Sequence, residues 1–364
     1  MTSRDKTSYS IEELTKFPTE SVLSDLHPDR SNNINLNKTV FFTENGRVGF
    51  DTYANNYSYT LHINKFTNSK SVIIICSKDN ENILAYTLQK IKSFNLHTEH
   101  DILLVDDRST SDQILRLANE HSVSYLRIDN DQNIFNYSAI NNIAVCYAKL
   151  FQKETLIFWN NDMWPDTYDS VRNILNKHRL YNSGITGSKL IYPSSQEYEE
   201  IGKPQHLLQQ YLDQIYNTIQ HGGIHFIPKG SKFFDPNRKF LSSEIVLAPS
   251  HTWRFFDRNL PIASSDNRCY AVTGALHIIN TDLFFEIGAL NIGLATSFQD
   301  IDLCIKVLSH NKSIYYIGSE TMIHAESLTN AKEKISQSKE YQSDDILWDI
   351  LWGVNIPRIL GFMN

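Results

Sequence analysis

Residues 71–107 have the sequence SVIIICSKDNENILAYTLQKIKSFNLHTEHDILLVDD, and this stretch decides the fold class. The run SVIIIC at 71–76 is continuously apolar and mostly β-branched, which is typical of a strand buried on both faces. DILLVDD at 101–107 has the same character. Between the two runs, apolar residues recur at steps of three and four, which predicts an amphipathic helix. These residues are Ile83, Leu84, Leu88, Ile91 and Phe94.

The same alternation continues along the chain as far as residue 162. A helical pattern at 111–121 is followed by a short strand at 124–129, a second helical pattern at 138–150 and a fourth strand, TLIFWNND, at 155–162. Consecutive β-α-β units form a parallel sheet covered by helices. The fold class predicted is therefore α/β, with a Rossmann-like, mostly parallel central sheet flanked by helices.

Three regions differ in composition. Residues 1–69 form a polar N-terminal extension, in which the alternating stretch around ENGR (44–47) predicts a short β hairpin packed on the core. Residues 70–330 form the main α/β domain, with further strands predicted in GITGSKLIYP and YAVTGALHII. Residues 331–364 form a C-terminal tail with a helical pattern.

Composition and charge limit the classes of function. The 364 residues carry 34 Lys and Arg against 41 Asp and Glu, a net charge of −7, which argues against a nucleic-acid-binding protein. The N-terminal sequence has no apolar segment typical of a secretory signal, and no run is long enough to span a bilayer. The four cysteines are widely spaced without a CxxC pair, a pattern typical of a reduced compartment. We therefore expect a cytoplasmic protein.

Polar side chains follow each of the four predicted parallel strands. They are Ser77, Lys78 and Asp79; Asp106 and Asp107; Asp129 and Asn130; and Asn160, Asn161 and Asp162. Because ligands bind beyond the carboxyl ends of parallel strands, these residues predict a ligand site at this edge. A carboxylate cluster without a matching Lys or Arg cluster favours a neutralising cation. The chain has neither GxGxxG nor GxxxxGK[ST], so neither a dinucleotide fingerprint nor a P-loop explains the edge.

Six motifs lie in order along residues 70–328. They are SVIIICSKDN (71–80), DILLVDDRSTSD (101–112), FNYSAINNIAV (135–145), LIFWNND (156–162), VTGALHIINTDLFFEIGAL with FQDIDLCIKV (272–307), and MIHAES (322–327). In this order and spacing they resemble the motifs of inverting glycosyltransferases of family 2, which implies the GT-A fold. The QxxRW motif of processive synthases does not follow His324, so the resemblance is to the non-processive type, which adds one sugar per encounter.

The resemblance implies a role for each matching residue. Asp300 would be the general base that takes the proton from the acceptor hydroxyl. Asp162 and His324 would hold a divalent cation, Mn²⁺ or Mg²⁺, on the diphosphate of the donor. Nucleotide and donor contacts would come from Ser77, Asp79, Asp106, Asp107, Asn133, Asn161 and Gly274. Weaker matches place four further residues near the sugar or acceptor: His221, Gly222, Gly223 and Gln299.

Two positions depart from the family pattern. Gln299 stands where the family has Glu, which removes a negative charge beside Asp300. Asn160 and Asn161 stand where many relatives have carboxylates, so Asp162 supplies the only negative charge of that motif. We expect the catalytic base to keep its role and the affinity for the cation to be weaker.

Structural explanations stay open for several of these residues. Asp106 and Asp107 could form an Asx-turn or cap the next helix. Asp300 could complement a helix dipole. His324 could be an ordinary core histidine, and His221 with its two glycines could belong to an ordinary turn.

The expected reaction is transfer of one sugar from a nucleotide-diphosphate sugar, a UDP- or dTDP-sugar, to a hydroxyl of a glycan or lipid-linked glycan. The product would belong to cell-surface polysaccharide or glycoconjugate synthesis. A nucleotidyltransferase of sugar phosphates is an alternative, but it would usually have a Gly-rich phosphate loop where CSKDNENIL has no glycine. A non-catalytic carbohydrate-binding protein is a second alternative, although it would not need both Asp162 and Asp300.

The C-terminal tail is unusually apolar. Residues 346–362 are too apolar all round for a free surface helix and too interrupted to span a membrane. One hypothesis docks this tail on the main domain. The other gives it peripheral contact with the inner face of a membrane, with Trp348 and Trp352 at the level of the lipid headgroups.

Overall fold

The computed structural model describes most of the chain from residue 67 onward. The described ranges are 67–130, 135–202, 209–228 and 247–326, with the shorter pieces 33–35, 57–62, 344–345, 347–353 and 356. The predicted hairpin turn at 44–47 and the predicted donor residue Asn133 lie outside the described residues.

Fourteen strands occur in the described residues. They are β1 (Asn33–Asn35), β2 (Tyr57–His62), β3 (Ser71–Ser77), β4 (Asp101–Asp107), β5 (Ser124–Asn130), β6 (Thr155–Asn160), β7 (Met163–Pro165), β8 (Ile185–Ile191), β9 (Ile219–His221), β10 (Ile224–Pro228), β11 (Leu247–His251), β12 (Asn267–Cys269), β13 (Leu276–Asn280) and β14 (Ile314–His324).

Helices lie between these strands. They are α1 (Glu81–Ser93), α2 (Leu96–Glu99), α3 (Gln113–His121), α4 (Tyr137–Leu150), α5 (Ser170–Leu180), α6 (Ser195–Ile201), α7 (Gln209–Ile215), α8 (Thr281–Glu286) and α9 (Gln299–Ser309). A 3₁₀ turn at Pro261–Ser264 and a π-helical turn at Asp349–Gly353 complete the set. The helical patterns at 83–94, 111–121 and 138–150 correspond to α1, α3 and α4.

Twelve of the strands form one sheet in the order β1-β2-β5-β4-β3-β6-β13-β8-β14-β12, with β7 paired to β14 and β9 to β8. Strands β5, β4, β3, β6, β8 and β14 run in the same direction. The prediction of an α/β fold with a mostly parallel, helix-covered sheet is confirmed. Strand β13 runs antiparallel between β6 and β8, a direction that the sequence pattern does not specify. Strand β2, from the N-terminal extension, pairs antiparallel with β5.

The side chains of β3 alternate between two cores, one on each face of the sheet. Val72 and Ile74 pack with residues of α4, α8 and α9. Ile73 and Ile75 pack with residues of α1, α3 and α5. Burial on both faces explains why the strand is apolar at every position from 72 to 75.

The C-terminal tail is docked on the main domain at the residues that the structure describes. Trp348 and Trp352 are 0 % and 1 % exposed and belong to the same core as α4 and α9. The hypothesis that these two rings lie at the level of lipid headgroups is therefore wrong. Within the described part of the chain, no helix combines the length and the hydropathy that crossing a bilayer requires.

Candidate active site

The carboxyl ends of β3, β4 and β6 bring the predicted site residues to one edge of the sheet. In the parallel registers, Ser77 is level with Asp106, and Cys76 is level with Asn160. Asn161 follows directly and donates a hydrogen bond from Nδ2 to Ser77 Oγ at 3.0 Å. Ser77 and Asn161, both predicted to contact the nucleotide-sugar donor, thus contact each other.

Asp106 lies at the same edge but is fully buried and well supplied with partners. Its Oδ2 accepts hydrogen bonds from Tyr125 OH at 2.5 Å and from Arg127 Nη1 at 3.2 Å. Its Oδ1 accepts from the Ser109 N–H at 2.9 Å. The last contact closes an Asx-type turn, so the structural explanation holds for this residue whatever else it binds.

Asp107 is also paired with an arginine. Arg108 Nε and Nη2 donate to Asp107 Oδ1 and Oδ2 at 2.7 and 2.8 Å, a bidentate contact between neighbours in sequence. Arg127 pairs with Asp129 as well as with Asp106. The expectation that this carboxylate cluster lacks matching cations is therefore wrong for these three residues, because each pairs with an arginine, although two arginines against three carboxylates leave one negative charge.

Asp79 joins the loops that follow β3 and β4. Its side chain is exposed, and Oδ1 accepts hydrogen bonds from the Thr110 N–H at 2.6 Å and the Thr110 hydroxyl at 2.9 Å. The Asp79 N–H in turn donates to Ser109 Oγ at 3.0 Å. Asp79 has a φ of +49°, a left-handed conformation that Asp tolerates better than most residues. These contacts hold the two loops together at the rim of this edge.

Asp162 and His324 meet because β7 pairs antiparallel with the end of β14. This pairing places Met163 opposite His324, and the Ala325 N–H donates to the Asp162 carbonyl at 2.9 Å. His324 Nε2 then lies 3.1 Å from Asp162 Oδ1. Burial tends to lower the pKa of His324, but the Asp162 carboxylate outweighs it, and the pKa lies above its ordinary value.

Gln220 orients the His324 ring from its other side. Gln220 Oε1 lies 3.0 Å from His324 Nδ1, so we assign the donated proton to Nδ1. The β8–β9 register aligns Leu190 with His221 and Ile191 with Ile219, which makes Gln220 the extra residue of a bulge. Gln220 was not predicted from the sequence, since no motif marks a residue 104 positions away from the side chain it contacts.

The donor set at Asp162 and His324 fits a divalent cation shared with a substrate. In the neutral ring, a proton on Nδ1 makes Nε2 the acceptor atom, which is the form that ligates metals, and here Nε2 lies 3.2 Å from Asn160 Nδ2. Among the described residues, no cluster of three His, Cys, Asp or Glu side chains could hold a metal. Mg²⁺ is commonly bound through one or two carboxylates with phosphates and water completing the shell. Two protein ligands therefore suit a cation that arrives with a diphosphate.

Asp300 lies in the first turn of α9 and faces the segment that precedes β13. The Gly274 N–H donates to Asp300 Oδ2 at 2.8 Å, and the Ile301 N–H donates to Oδ1 at 2.8 Å. The Ala275 carbonyl next to Gly274 accepts from the Asn160 N–H at 3.0 Å, so one short segment links Asp300 to the end of β6. The predicted donor residue Gly274 is thus a contact of the predicted base.

Two polar side chains near Asp300 are His277 and Gln299. Burial lowers the pKa of His277, against the opposing effect of the nearby Asp300 carboxylate, and His277 Nε2 contacts the Val272 carbonyl at 2.8 Å. Gln299 has a buried Oε1 that no hydrogen-bond donor contacts among the described residues.

His221 and its glycines make contacts within the protein. His221 is fully buried, and burial together with the neighbouring His251 holds its pKa well below the ordinary value. Its Nε2 accepts from the N–H groups of Gly223 and Thr273 at 3.3 and 3.4 Å. A Cβ at Gly222 would lie 2.5 Å from the Trp253 ring, so the absence of a side chain at this position makes room for Trp253. A contact of these residues with sugar or acceptor stays a prediction.

Comparison with known proteins identifies distant relatives. No family profile matches the chain. It is 25% identical over 270 residues to the uncharacterized protein y4gI of Sinorhizobium fredii (strain NBRC 101917 / NGR234), a match that covers 73% of this chain and 26% of that protein. It is 22% identical over 275 residues to the O-antigen biosynthesis protein RfbC of Myxococcus xanthus, covering 75% and 19%. The chain therefore spans about a quarter or less of the length of these curated relatives.

Some solved structures have a partly similar arrangement of strands and helices. GalNAc-T7 with UDP, GalNAc and Mn²⁺ matches 70% of this chain and 42% of its own, with a TM-score of 0.48 and 14% identity. The mannosyltransferase PcManGT from Pyrobaculum calidifontis with GDP-Man and Mn²⁺ matches 71% of this chain and 57% of its own, with a TM-score of 0.43 and 10% identity. S. aureus TarS 1-349 matches 77% of this chain and 70% of its own, with a TM-score of 0.38 and 13% identity.

Proposed function

We propose that this chain is a GT-A glycosyltransferase that moves one sugar from a nucleotide-diphosphate sugar to a hydroxyl of a glycan, with inversion at the anomeric carbon. The observation that carries the proposal is that two carboxylates near one edge of the sheet have different kinds of partner. Asp162 is paired with an imidazole, whereas Asp300 is held by backbone N–H groups. The first pair suits a cation on a diphosphate, and the second carboxylate suits a proton acceptor.

Asp300 acts as the general base in this proposal. The two backbone N–H bonds fix the plane of its carboxylate, and the remaining lone pairs can accept the proton of the attacking hydroxyl. The hydroxyl oxygen forms the new bond to the anomeric carbon while the bond from that carbon to the diphosphate oxygen breaks. Attack opposite the leaving group inverts the configuration, and the chain forms no covalent intermediate.

Asp162 and His324 are proposed to hold the divalent cation, Mn²⁺ or Mg²⁺. When bound, such a cation stabilises negative charge on the departing diphosphate. Gln220 keeps the His324 ring in the orientation that directs Nε2 toward Asp162. Ser77 and Asn161, which contact each other at the end of β3, are proposed to receive the nucleotide of the donor, together with Asp79 at the rim.

The donor is proposed to be a UDP- or dTDP-sugar and the acceptor a glycan or lipid-linked glycan. The similarity to a protein named for O-antigen biosynthesis supports cell-surface polysaccharide as the product. Four free cysteines in the described residues support a cytoplasmic site of action, where nucleotide sugars are available.

The test is turnover of a panel of UDP-, dTDP- and GDP-sugars with Mn²⁺ or Mg²⁺. We expect release of a nucleoside diphosphate that stops when EDTA removes the cation, and we expect Asp162→Ala to abolish it at saturating metal. Asp169→Ala is the matched control, because that carboxylate is exposed and pairs with Arg172 on the surface. Formation of a nucleoside triphosphate and a sugar phosphate when pyrophosphate is added to the nucleotide sugar would instead indicate a nucleotidyltransferase, and sugar binding without turnover would indicate a binding protein. Either result contradicts the proposal.

A further inference from the structure

The C-terminal tail contacts the polypeptide directly before Asp300. Asp344, which is 1 % exposed, accepts a hydrogen bond on Oδ1 from the Ala295 N–H at 2.9 Å. Its Oδ2 accepts from the N–H of Thr296 at 2.7 Å, the hydroxyl of Thr296 at 2.9 Å and the N–H of Ser297 at 2.8 Å. One buried carboxylate therefore accepts hydrogen bonds from three successive backbone N–H groups of the loop that leads into α9.

The tail also contacts the residues on both sides of Asp300. Trp348 stacks on Phe298, with ring centroids 5.1 Å apart and an interplanar angle of 25°. Phe298 has a φ of +64°, a conformation that a bulky residue adopts only where its surroundings enforce it. Trp352 Nε1 donates to Asp302 Oδ1 at 2.8 Å, and Asp302 is itself paired with the buried Lys306 at 2.7 Å.

We propose that the C-terminal tail is a positioning device for the catalytic base, with Asp344 and Trp352 as its two positioning residues. The proposal rests on the proposed function, because it needs Asp300 to be the base. Of the described tail contacts, Asp344 reaches residues 295–297 and Trp352 reaches Asp302, so the tail acts through the backbone that carries Asp300. A catalytic group must be held to within about 0.5 Å of its productive position, and buried contacts on both sides supply that restraint.

The loop at 294–297 is held from its other side by α4. The Tyr137 N–H donates to the Ala295 carbonyl at 2.7 Å, and Ser138 Oγ donates to the Leu294 carbonyl at 2.6 Å. The carbonyl groups of the loop thus accept hydrogen bonds from α4, and the N–H groups of the loop donate to Asp344. Loss of Asp344 would leave the loop attached but free to shift, which predicts a fall in turnover without loss of the fold.

The variants are Asp344→Asn, which keeps the size but removes the charge and half of the acceptor sites, and Trp352→Phe, which removes the N–H donor to Asp302. We expect each to lower kcat at least about tenfold while the dissociation constant of the nucleotide-sugar donor stays within about twofold. Asp101→Asn is the matched control, because Asp101 is an equally buried carboxylate that pairs with Lys153 and begins β4, away from the carboxyl edge. We expect it to lower the Tm but leave kcat within about twofold.

A double-mutant cycle separates positioning from a merely structural role. Combined with Asp300→Asn, either tail variant should lower kcat by less than about twofold further, since the group it positions is gone. An equal fold-loss in both backgrounds, or an unchanged kcat for both variants in the wild-type background, overturns the proposal. If Asp344→Asn does not fold, Trp352→Phe decides. If Asp300→Asn alone leaves kcat unchanged, the base assignment itself is wrong, and that result is distinct from a failure of the tail variants alone.

Discussion

Replacing Gly274 with alanine is expected to displace Asp300, the proposed catalytic base, without changing its chemistry. A Cβ at this position would lie 2.9 Å from Asp300 Cβ and 3.5 Å from Oδ2. Ordinary carbon–carbon contact begins near about 3.5 Å, so Asp300 or the 273–275 segment must move by about 0.6 Å or more. Gly274 is not among the residues with positive φ, so alanine adds no backbone strain and the effect is steric.

The size of the effect follows from that displacement. A shift of about 1 Å in a catalytic group costs roughly 10²-fold in rate, so we expect Gly274→Ala to lower kcat by roughly 10- to 100-fold. Overpacking of this kind typically costs about 1–3 kcal/mol in the free energy of unfolding, which the domain should tolerate. The donor dissociation constant should stay within about twofold if Gly274 serves the base rather than the nucleotide.

The assay is steady-state turnover of the nucleotide-sugar donor, with donor binding measured by calorimetry and the folded fraction by thermal unfolding. Gly184→Ala is the matched control, because a Cβ there would lie 2.5 Å from Val307 near the other end of α9. That variant should lose stability to a similar extent and keep its kcat per folded molecule. A folded Gly274→Ala enzyme with wild-type kcat would refute the reasoning that this contact positions Asp300.

Two further predictions concern stability. Arg127→Met leaves the fully buried Asp106 without its cation, and loss of one partner of a buried pair typically costs about 3–5 kcal/mol. Because Arg127 is 30% exposed, we expect urea unfolding to show a loss of about 2 kcal/mol in the free energy of unfolding. A loss below about 0.5 kcal/mol would contradict the pairing. Burial lowers the pKa of His178 to about 4, and the nearby Arg179 adds to this effect. Since the unfolded chain takes up that proton near pH 6.5, the unfolding free energy should fall by up to about 3 kcal/mol as the pH drops from about 6.5 to 4. His178→Gln should reduce this pH dependence, and an unchanged slope would argue against a buried neutral ring.

Local sequence patterns predicted much of the fold for a physical reason. The continuous apolar run of β3 and the spacing of the apolar residues in α1 depend on burial of each element by itself. Residues 71–75 of β3 and Ile83, Leu84, Leu88 and Ile91 of α1 are buried as the patterns require, whereas Cys76 and Phe94 at the ends of the two patterns are half-buried. The contact between Ser77 and Asn161 follows from two adjacent parallel strands that end at one edge. The meeting of Asp162 with His324 was implied by the resemblance to a known family rather than by the residues alone.

The features that the sequence did not predict depend on long-range register. Strand β13 is buried and apolar, and this pattern is the same for a parallel and an antiparallel strand, so the sequence does not indicate its direction. Arg108 and Arg127 pair with carboxylates for which the sequence favours a neutralising cation, because charge counting along the chain does not show which side chains lie together. Gln220 reaches His324 through a bulge, and Asp344 reaches Ala295 from 49 residues away. Neither residue carries a motif.

Single substitution of Asp300 by Asn tests the central claim most directly. Asparagine keeps the size of the side chain and can still accept one of the two backbone N–H bonds, from Gly274 or from Ile301, but it cannot take the proton of the attacking hydroxyl. With the nucleotide-sugar donor found in the panel, we expect kcat to fall by about 10² to 10⁴ while the donor dissociation constant stays within about twofold. A loss of donor affinity equal to the loss of rate would place Asp300 in the nucleotide site instead, and an unchanged kcat would contradict its role as the base.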